Sequence, residues 1–297
     1  MTANGVTPDN VLTSRVVRSL RSSGVLLILP SLISDKYTAL ISESRGVLPI
    51  ALPTTRLSAG RDAGVRSVRL AYMSSDKDVI KSVQDFYNQA GVHFSRTRQK
   101  KYGSGSSNWV VTDEYLARLK PGQSVLDLGC GNGKLVTALP DGVNYLGTDF
   151  SETLLNEARL LHPEHKFIYG DVLSKEDWAG LGTYDAIFCV AVLHHIPSRD
   201  NQVYALSEIK KHLNPGGFMF LTVWNLWQEK FLQYHLETHV EVPYNKTWKR
   251  YCVAYELPEM MSLCADAELT VDEIFYADRA GKRADIQTGE NLVVIAN

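Results

Sequence analysis

The sequence predicts an α/β protein built on a mostly parallel sheet with helices on both faces. From residue 124 onward, short apolar runs alternate with amphipathic helical segments, and a glycine-rich turn follows the first run. The fifth run, GGFMFLTVW, is almost continuously apolar, as expected of a strand buried on both faces. Such alternation is typical of parallel strands joined by crossover helices.

The elements follow in a regular order. The five predicted strands lie at SVLDLG, VNYLGTDF, KFIYGDV, YDAIFCVAVL and GGFMFLTVW. The helices between them run through Leu139, over SETLLNEARLL, near Trp178 and over NQVYALSEIKKHL. The C-terminal part differs: a helix at LPEMMSLCADA precedes LTVDEIFYA and NLVVIA, which we expect to form a closing antiparallel hairpin. This gives seven strands in all.

Two helices and a basic segment precede the sheet. The first helix covers SSDKDVIKSVQDFYNQA, where Ser75 and Asp78 form a possible capping box. The second, NWVVTDEYLARL, stops at Pro121-Gly122. The segment between them, AGVHFSRTRQKKYG, has the charge density of a solvated linker, but its place before the sheet suits a lid. Its cations are Arg96, Arg98, Lys100 and Lys101.

Composition sets limits on function. The chain has 297 residues, 44% of them hydrophobic, and a net charge of −2, so its overall charge makes no case for binding nucleic acid or a membrane. The four cysteines are far apart and include no CxxC pair, which indicates neither a disulfide framework nor a metal site. No metal is therefore predicted, and a cytoplasmic location is expected.

Residues 1–72 differ in composition from the rest of the chain. They hold nine Lys and Arg against four Asp and Glu, and include the apolar run GVLLILPSLI, which is too short to span a bilayer. The arginines before this run are compatible with organelle targeting. A disordered extension, or translation that starts at Met73, would explain the segment equally. We predict an N-terminal extension at 1–72, a helical lid and substrate segment at 73–123, and a catalytic core at 124–297.

A glycine-rich loop, LDLGCGNGK, follows the first strand. Gly129, Gly131 and Gly133 allow a tight turn and a close approach of backbone to ligand. The loop is not the dinucleotide pattern G-x-G-x-x-G, because Lys134 stands at the last position, and it is not a phosphate loop, because Leu135 follows that lysine. Asp127, beside the loop, would suit an ammonium group better than a pyrophosphate.

Acidic residues also end the next two strands. Asp149 lies twenty residues after Gly129, where a carboxylate can accept both hydroxyls of a ribose. Asp171 ends the third strand and could accept from an adenine amino group. This ordered set resembles the class I S-adenosylmethionine-dependent methyltransferases, over roughly residues 124–224. A nicotinamide-binding domain, or glycines that serve only a turn, would leave the later motifs unexplained.

The resemblance implies a Rossmann-like fold, the cofactor S-adenosyl-L-methionine and a role for each matching position. The methionine part of the cofactor would lie on the glycine loop, the ribose at the end of the second strand, the adenine at the end of the third, and the fourth strand would end against the cofactor. The cofactor-binding residues so implied are Asp127, Gly129, Gly131, Gly133, Asp149, Phe150, Asp171, Val172 and Ala191.

Four further segments resemble one particular family of methyltransferases. NQAGVHFSRTRQKKY resembles the N-terminal H-F-S-x-T-R-x-K segment of the tRNA wobble-uridine (carboxymethyluridine) methyltransferases. CVAVLHHI, TVWNLWQEK, and VPY followed by KRYCVAYELPEM resemble later segments of the same family. The resemblance implies that the chain methylates the carboxylate of carboxymethyluridine in tRNA, and that a small zinc-binding activator protein is a partner.

A carboxylate acceptor is already deprotonated at neutral pH, so it requires a cation to orient it and no catalytic base. The predicted substrate-orienting residues are Arg96, Arg98, His194, Arg250 and Tyr251, the last two in a substrate-binding insertion at about 225–255. Of the adjacent His194 and His195, we expect one to face the cleft and the other to pack.

The chain also departs from the family pattern. Cys252 and Val253 replace a Tyr-His pair, and Leu292 replaces a tryptophan. These differences leave two alternatives open: a methyltransferase acting on a small carboxylic acid or quinone precursor, and a cofactor-binding regulatory subunit without turnover.

Overall fold

The structure, a computed structural model, describes residues 75–102, 109–236 and 239–297, with the backbone alone at 94 and 96–102. The predicted extension at 1–72, and the side chains of Arg96, Arg98, Lys100 and Lys101, lie outside the described residues. The predicted division into 1–72, 73–123 and 124–297 stays a prediction.

An eight-stranded mixed sheet organises the described chain, in the order β3-β2-β1-β4-β5-β10-β8-β9. Strands β1 to β5 are parallel, while β10 runs antiparallel to both β5 and β8. Two more strands, β6 and β7, form a separate antiparallel pair. The strands are β1 (Ser124–Leu128), β2 (Asn144–Asp149), β3 (Lys166–Tyr169), β4 (Tyr184–Val190), β5 (Leu213–Trp224), β6 (Val240–Tyr244), β7 (Trp248–Cys252), β8 (Val271–Ala277), β9 (Arg283–Ala284) and β10 (Asn291–Ala296).

Helices lie between the strands and before them. They are α1 (Asp76–Tyr102), α2 (Val110–Leu116), α3 (Glu152–Leu161), α4 (Lys175–Ala179), α5 (Arg199–Lys211), α6 (Glu229–Leu232) and α7 (Leu257–Asp266). Two short 3₁₀ helices follow β1 and β4, at Lys134–Ala138 and Leu193–His195. No helix in the described part of the chain is long and apolar enough to cross a membrane.

The α/β class and the closing antiparallel strands are confirmed, whereas the main sheet has eight strands instead of seven. The extra strand, β9, has two residues and pairs with the end of β8. It is too short to show any periodicity in the sequence. The segment after the glycine loop is also different from the prediction: it winds as a 3₁₀ helix over five residues.

Successive side chains of the central strands point to opposite faces of the sheet, so the core has two layers. Leu126 and Ile187 face one layer, which α5 and α7 cover with Leu206 and Met260. Val125 and Phe188, one residue away in their strands, face the other layer, which α2 covers. Apolar side chains pack on both faces of the sheet. A ligand is therefore expected at the loops that follow the carboxyl ends of the strands.

Helix α1 is longer than the sequence pattern indicated. Its N-terminus has the predicted capping box, because the Ser75 N–H donates to Asp78 Oδ2 (3.0 Å) and the Asp78 N–H donates to Ser75 Oγ (3.3 Å). The helix was expected to end near Ala90, but its backbone stays helical through the basic segment to Tyr102. The basic segment is therefore an extension of α1.

Candidate active site

A cavity of about 270 Å³ opens at the carboxyl edge of the parallel strands, beneath α1. Strands β1, β2 and β4 supply its floor, and Ile80, Val83 and Tyr87 of α1 form part of its wall. All of the predicted cofactor residues except Gly133 line it. Those that do are Asp127, Gly129, Gly131, Asp149, Phe150, Asp171, Val172 and Ala191.

The three loop glycines have positive φ angles, and their surroundings differ. A Cβ on Gly129 would lie 2.3 Å from a methyl of Val192, while one on Gly131 would meet nothing closer than 3.9 Å. Gly131 thus presents bare backbone to open space in the cavity wall. Gly133 packs against Phe167, where a Cβ would lie 2.7 Å from the ring, so its role is structural.

Asp149 connects the glycine loop to the end of β2. Its Oδ2 accepts the Gly131 N–H (2.9 Å) and its Oδ1 accepts the Ser151 N–H (2.8 Å). A carboxylate has about four acceptor sites, so these bonds leave it the capacity to accept from a ribose hydroxyl. Burial raises the pKa of Asp149 to about 6, although the backbone N–H donors oppose this rise.

Asp127 is the second buried carboxylate at the cavity. Its Oδ2 accepts the Tyr145 hydroxyl (2.8 Å), and burial raises its pKa to about 7. The nearby charge of Asp149 contributes to the rise. A cationic ligand beside these two groups would favour their ionised forms.

The ends of β3 and β4 complete the cavity. Asp171 is held by its own Oδ1, which accepts the Leu173 N–H (2.9 Å), and by its backbone N–H, which donates to Asp177 (2.8 Å). Burial raises the pKa of Asp171. Ala191 has a φ of 60°, which is unusual for a residue with a Cβ. Its N–H donates to Thr222 of β5.

These residues fit S-adenosylmethionine. Gly131 leaves space for close contact with backbone, Asp149 offers acceptors for a ribose, and Val172 and Leu173 give an apolar surface for a base. The two buried carboxylates would balance the positive charges of the sulfonium and the ammonium.

Helix α1 is attached directly to the loops that line this cavity. Gln84 Nε2 donates to the Phe150 carbonyl (3.0 Å), and the Ser151 hydroxyl donates to Asn88 Oδ1 (2.8 Å). Further along, Asn132 Nδ2 donates to the Ser95 hydroxyl (2.9 Å). The helix therefore covers the cavity as a lid.

Arg250 lies on β7 behind Trp224, which lines the cavity. Only 7% of the residue is exposed, and its guanidinium carbon lies 4.5 Å from the centre of the Trp224 ring and 5.4 Å from those of Phe86 and Tyr244. The Nε has no hydrogen-bond partner, and no carboxylate among the described residues forms an ion pair with the group. It is thus a buried cation without a counter-charge in the described chain.

The two adjacent histidines face different surroundings, as expected, but His195, and not the predicted candidate His194, lies in the cavity wall. The ring of His195 contacts the Tyr251 carbonyl through Nδ1 (2.8 Å) and the Tyr87 hydroxyl through Nε2 (2.9 Å). His194 is fully buried, neither of its ring nitrogens has a hydrogen-bond partner among the described residues, and its ring lies 4.8 Å from that of Trp224. Burial holds its pKa well below the usual range, and the nearby His195 and Arg250 add to this.

Tyr251, another predicted candidate, stacks its ring on His239 (4.9 Å) outside the cavity lining, so it reaches the site only through its carbonyl. Conversely, Tyr87, Trp109 and Arg279 line the cavity without having been predicted as site residues. For Tyr87 the available signal was its apolar spacing on the first helix, which indicated packing and nothing more.

His194, His195 and Cys252 have ligand atoms within 4.8 Å of one another. A carbonyl oxygen can only accept, however, so the contact with Tyr251 places a proton on His195 Nδ1. Burial also raises the pKa of Cys252 to about 12, which keeps the thiol neutral. In this arrangement His195 Nδ1 carries a hydrogen and the Cys252 thiol is neutral, so both would have to lose a proton before the cluster could bind a metal through these atoms.

Comparison with known proteins identifies the family of the chain. A family model described as a methyltransferase domain matches residues 110–272, which is more than half of the chain. The tRNA (carboxymethyluridine(34)-5-O)-methyltransferase of Saccharomyces cerevisiae is 30% identical over 168 residues, which cover 54% of this chain and 56% of that protein. The Arabidopsis thaliana enzyme of the same name is 28% identical over 235 residues, covering 78% and 54%. The chain thus matches little more than half the length of these relatives.

Solved structures share the fold at low sequence identity. The complex between the Haloferax volcanii Trm112 methyltransferase activator and a methyltransferase gives a TM-score of 0.53 at 17% identity, covering 71% of this chain and 96% of the matched one. Magnesium protoporphyrin IX methyltransferase from Synechocystis, crystallised with S-adenosylhomocysteine, gives 0.52 at 18%, covering 74% and 99%. With the family match and the geometry of the cavity, these findings show that the chain belongs to the S-adenosylmethionine-dependent methyltransferases.

Proposed function

We propose that this methyltransferase transfers its methyl group to the carboxylate of carboxymethyluridine at the wobble position of tRNA, giving a methyl ester. Two findings support the choice of acceptor. The relatives named above carry that activity in their names, and the sequence resembles their family on both sides of the cofactor site. The observation that carries the proposal is the buried Arg250 beside the cavity, which forms no ion pair with any carboxylate in the part of the chain that the structure describes.

A buried cation is costly unless an anion or a set of hydrogen bonds compensates it. The faces of Trp224, Phe86 and Tyr244 compensate part of the cost through cation–π contact. A carboxylate would supply the rest, because the guanidinium fork donates two parallel hydrogen bonds to a carboxylate. Trp224 lines the cavity and stacks on Arg250, so binding of such an acceptor to the guanidinium would require this ring to move.

The remaining chemistry requires little from the chain. S-adenosylmethionine, when bound, supplies a methyl group on positively charged sulfur, which is already a strong electrophile. Asp127 and the glycine loop would hold its methionine part, Asp149 and Phe150 its ribose, Asp171 and Val172 its adenine, and Ala191 would lie against it. Helix α1 would exclude water, and a carboxylate acceptor at neutral pH needs no base.

We further expect tRNA binding to require help from a second protein. Residues 73–297 carry 22 Lys and Arg against 29 Asp and Glu, from totals of 31 and 33 less the nine and four in residues 1–72. Phosphate contacts normally dominate affinity for nucleic acid, so an acidic domain is a poor tRNA ligand unaided. A small zinc-binding activator would supply the attraction; a neighbour of the same fold is found with an activator. Arg96, Arg98, Lys100 and Lys101 remain candidates for contacting the RNA.

The test uses the full chain, labelled S-adenosylmethionine and tRNA that carries carboxymethyluridine, with and without the activator. Nucleosides are then separated by mass. We expect label in methoxycarbonylmethyluridine, and a fall of about 10–150-fold in kcat/KM for Arg250→Gln, because a hydrogen-bonded charge is worth roughly 1.5–3 kcal/mol.

Arg118→Gln is the matched control. Arg118 also stacks on an aromatic ring, that of Tyr115 at 3.7 Å, but lies outside the cavity lining. It should keep wild-type turnover. Cofactor affinity of Arg250→Gln, measured in parallel, shows whether the site is still folded. Absence of label from RNA under all conditions, or full activity of Arg250→Gln, would contradict the proposal.

A further inference from the structure

We propose that Tyr87 and His195 form a proton-accepting pair that lets this cavity also methylate an acceptor oxygen that still carries its proton, such as the hydroxyl of a phenol or enol. This second activity goes beyond the carboxylate acceptor proposed above, which requires no base. It uses a pair of side chains in the cavity wall that carboxylate methylation leaves without a role.

The contacts of His195 determine which nitrogen can accept a proton. The Tyr251 carbonyl, 2.8 Å from Nδ1, can only accept, so Nδ1 carries the hydrogen. In the neutral ring Nε2 then has the lone pair, and the Tyr87 hydroxyl, 2.9 Å away, donates to it. Because β7 supplies the carbonyl, the backbone of the hairpin holds the imidazole in this tautomer.

The position of the pair suits proton transfer from a substrate. Tyr87 and His195 line the same cavity as Ala191 and Trp224, at the end where β4 and β5 meet α1. A hydroxyl that enters there can donate to the Tyr87 oxygen, and the Tyr87 proton then passes to Nε2 along the existing hydrogen bond. The rings of Tyr87 and His195 lie edge to face, with centroids 5.6 Å apart.

Several titratable groups surround the imidazole. His194, from the same short helix, lies 4.3 Å away between ring centroids, and Cys252 Sγ of β7 lies 3.7 Å from Nδ1. Burial keeps both of these neutral, through a lowered pKa of His194 and a raised pKa of Cys252. Arg250 of β7 is a permanent charge near these side chains, and its guanidinium stacks on the Trp224 ring.

The reaction step balances without any further reactant. The acceptor oxygen gives its proton to the Tyr87 oxygen as the Tyr87 proton moves to His195 Nε2, and it uses its electron pair to form a bond to the methyl carbon. The bond between that carbon and the cofactor's sulfur breaks, and its electron pair stays on sulfur. The products are a methyl ether, S-adenosylhomocysteine and a proton, which the imidazolium releases to solvent.

The experiment compares two anticodon stem-loops that differ only at the wobble uridine. One carries 5-carboxymethyluridine and the other 5-hydroxyuridine; catechol serves as a third acceptor without RNA. We expect wild type to methylate the hydroxyl acceptor, and His195→Asn to lower that rate by about 10²–10⁴-fold, the usual range for loss of a general base. Asparagine retains an N–H near the position of Nδ1. The same variant should lower carboxylate methylation by less than about tenfold, because that acceptor is already ionised.

Two further variants and a pH profile distinguish a proton-accepting role of His195 from a purely structural one. His194→Asn makes the same exchange one residue earlier, outside the cavity lining, and should affect both acceptors equally. Tyr87→Phe should lower methylation of the hydroxyl acceptor more than that of the carboxylate, because it removes the oxygen through which the proton passes; an equal effect on both acceptors would contradict the pair. The deficit of His195→Asn should shrink as the pH rises towards the ionisation of the hydroxyl itself.

The outcomes distinguish the two proposals. Methylation of the carboxylate RNA alone overturns the second activity and leaves the proposed function intact. Methylation of 5-hydroxyuridine RNA or catechol alone, lost selectively in His195→Asn, supports the pair and contradicts the carboxylate substrate. Equal losses with both acceptors in His195→Asn would make His195 structural and overturn the inference, as would a wild type that methylates no hydroxyl.

Discussion

Asp127 and Asp149 are buried carboxylates whose ionisation depends on what binds beside them. Their pKa values of about 7 and about 6 lie above the ordinary value because burial disfavours the charged form. The free protein therefore gains stability from these groups below about pH 4, and loses it as the pH rises towards about 7. A ligand that carries positive charge reverses the preference, since it favours the ionised carboxylates.

We therefore expect affinity for S-adenosylmethionine to increase as the pH rises through about 6 to about 7, with release of a proton on binding. Calorimetry in buffers with different ionisation enthalpies measures that proton directly. Asp127→Asn should weaken binding and remove most of the pH dependence. An affinity that stays constant or falls over this interval would contradict the assignment of these carboxylates to the cofactor.

Residue types at the cofactor site could be predicted because backbone geometry and ligand chemistry restrict them strongly. A positive φ favours glycine, and a ribose favours a carboxylate at a strand end. The acceptor side was less predictable. His194 and His195 are adjacent in sequence, and the carbonyl that orients His195 belongs to Tyr251, far along the chain. Arg250 was predicted, but the aromatic rings around it come from three separate elements.

At the scale of elements, the glycine loop combines left-handed backbone conformations with a surface that faces the cavity. Gly131 (φ +55°) and Gly122 (φ +89°) both have positive φ, and a Cβ on either has no neighbour closer than 3.9 Å. They differ in place, because Gly131 lines the cavity and Gly122 lies in the turn before β1. This makes them a matched pair.

We expect Gly131→Ala and Gly122→Ala to lower the free energy of unfolding by similar amounts, about 1–2 kcal/mol, the cost of a Cβ in the left-handed region. Only Gly131→Ala should also weaken binding of S-adenosylmethionine, because its methyl group would enter the cavity. Denaturant unfolding and cofactor titration of both variants measure the two effects. Equal cofactor affinity in the two variants would show that the loop does not contact the ligand.

The elements with strong periodicity were predicted well, and those without it were not. The buried strands β1, β2, β4, β5 and β10 have clear apolar patterns, as does α5. The two-residue β9 has none, and pairing with β8 alone defines it. The extension of α1 through the basic segment was missed because its charges indicate solvent exposure and carry no apolar period.

For the whole molecule, the topology explains why one cavity serves the proposed cofactor and acceptor together. Parallel strands bring Asp127, Asp149 and Asp171 to one edge, and α1 closes that edge from above. The β6–β7 hairpin, which lies in the predicted 225–255 insertion, brings Arg250 behind the same cavity. The fold class and the cofactor could be predicted from the residues at successive strand ends. The methyl acceptor could not, because its site depends on packing between segments that are distant in sequence.

The most direct test of the account is a crystal structure of the chain with S-adenosylhomocysteine. We expect both ribose hydroxyls to donate to Asp149, the adenine to lie against Val172 with its amino group near Asp171, and the methionine part to contact Gly131 and Asp127. The sulfur should face Ala191 and the side of the cavity formed by His195 and Trp224. A ligand whose ribose lies away from Asp149, or whose sulfur points away from Trp224, would contradict the assigned site.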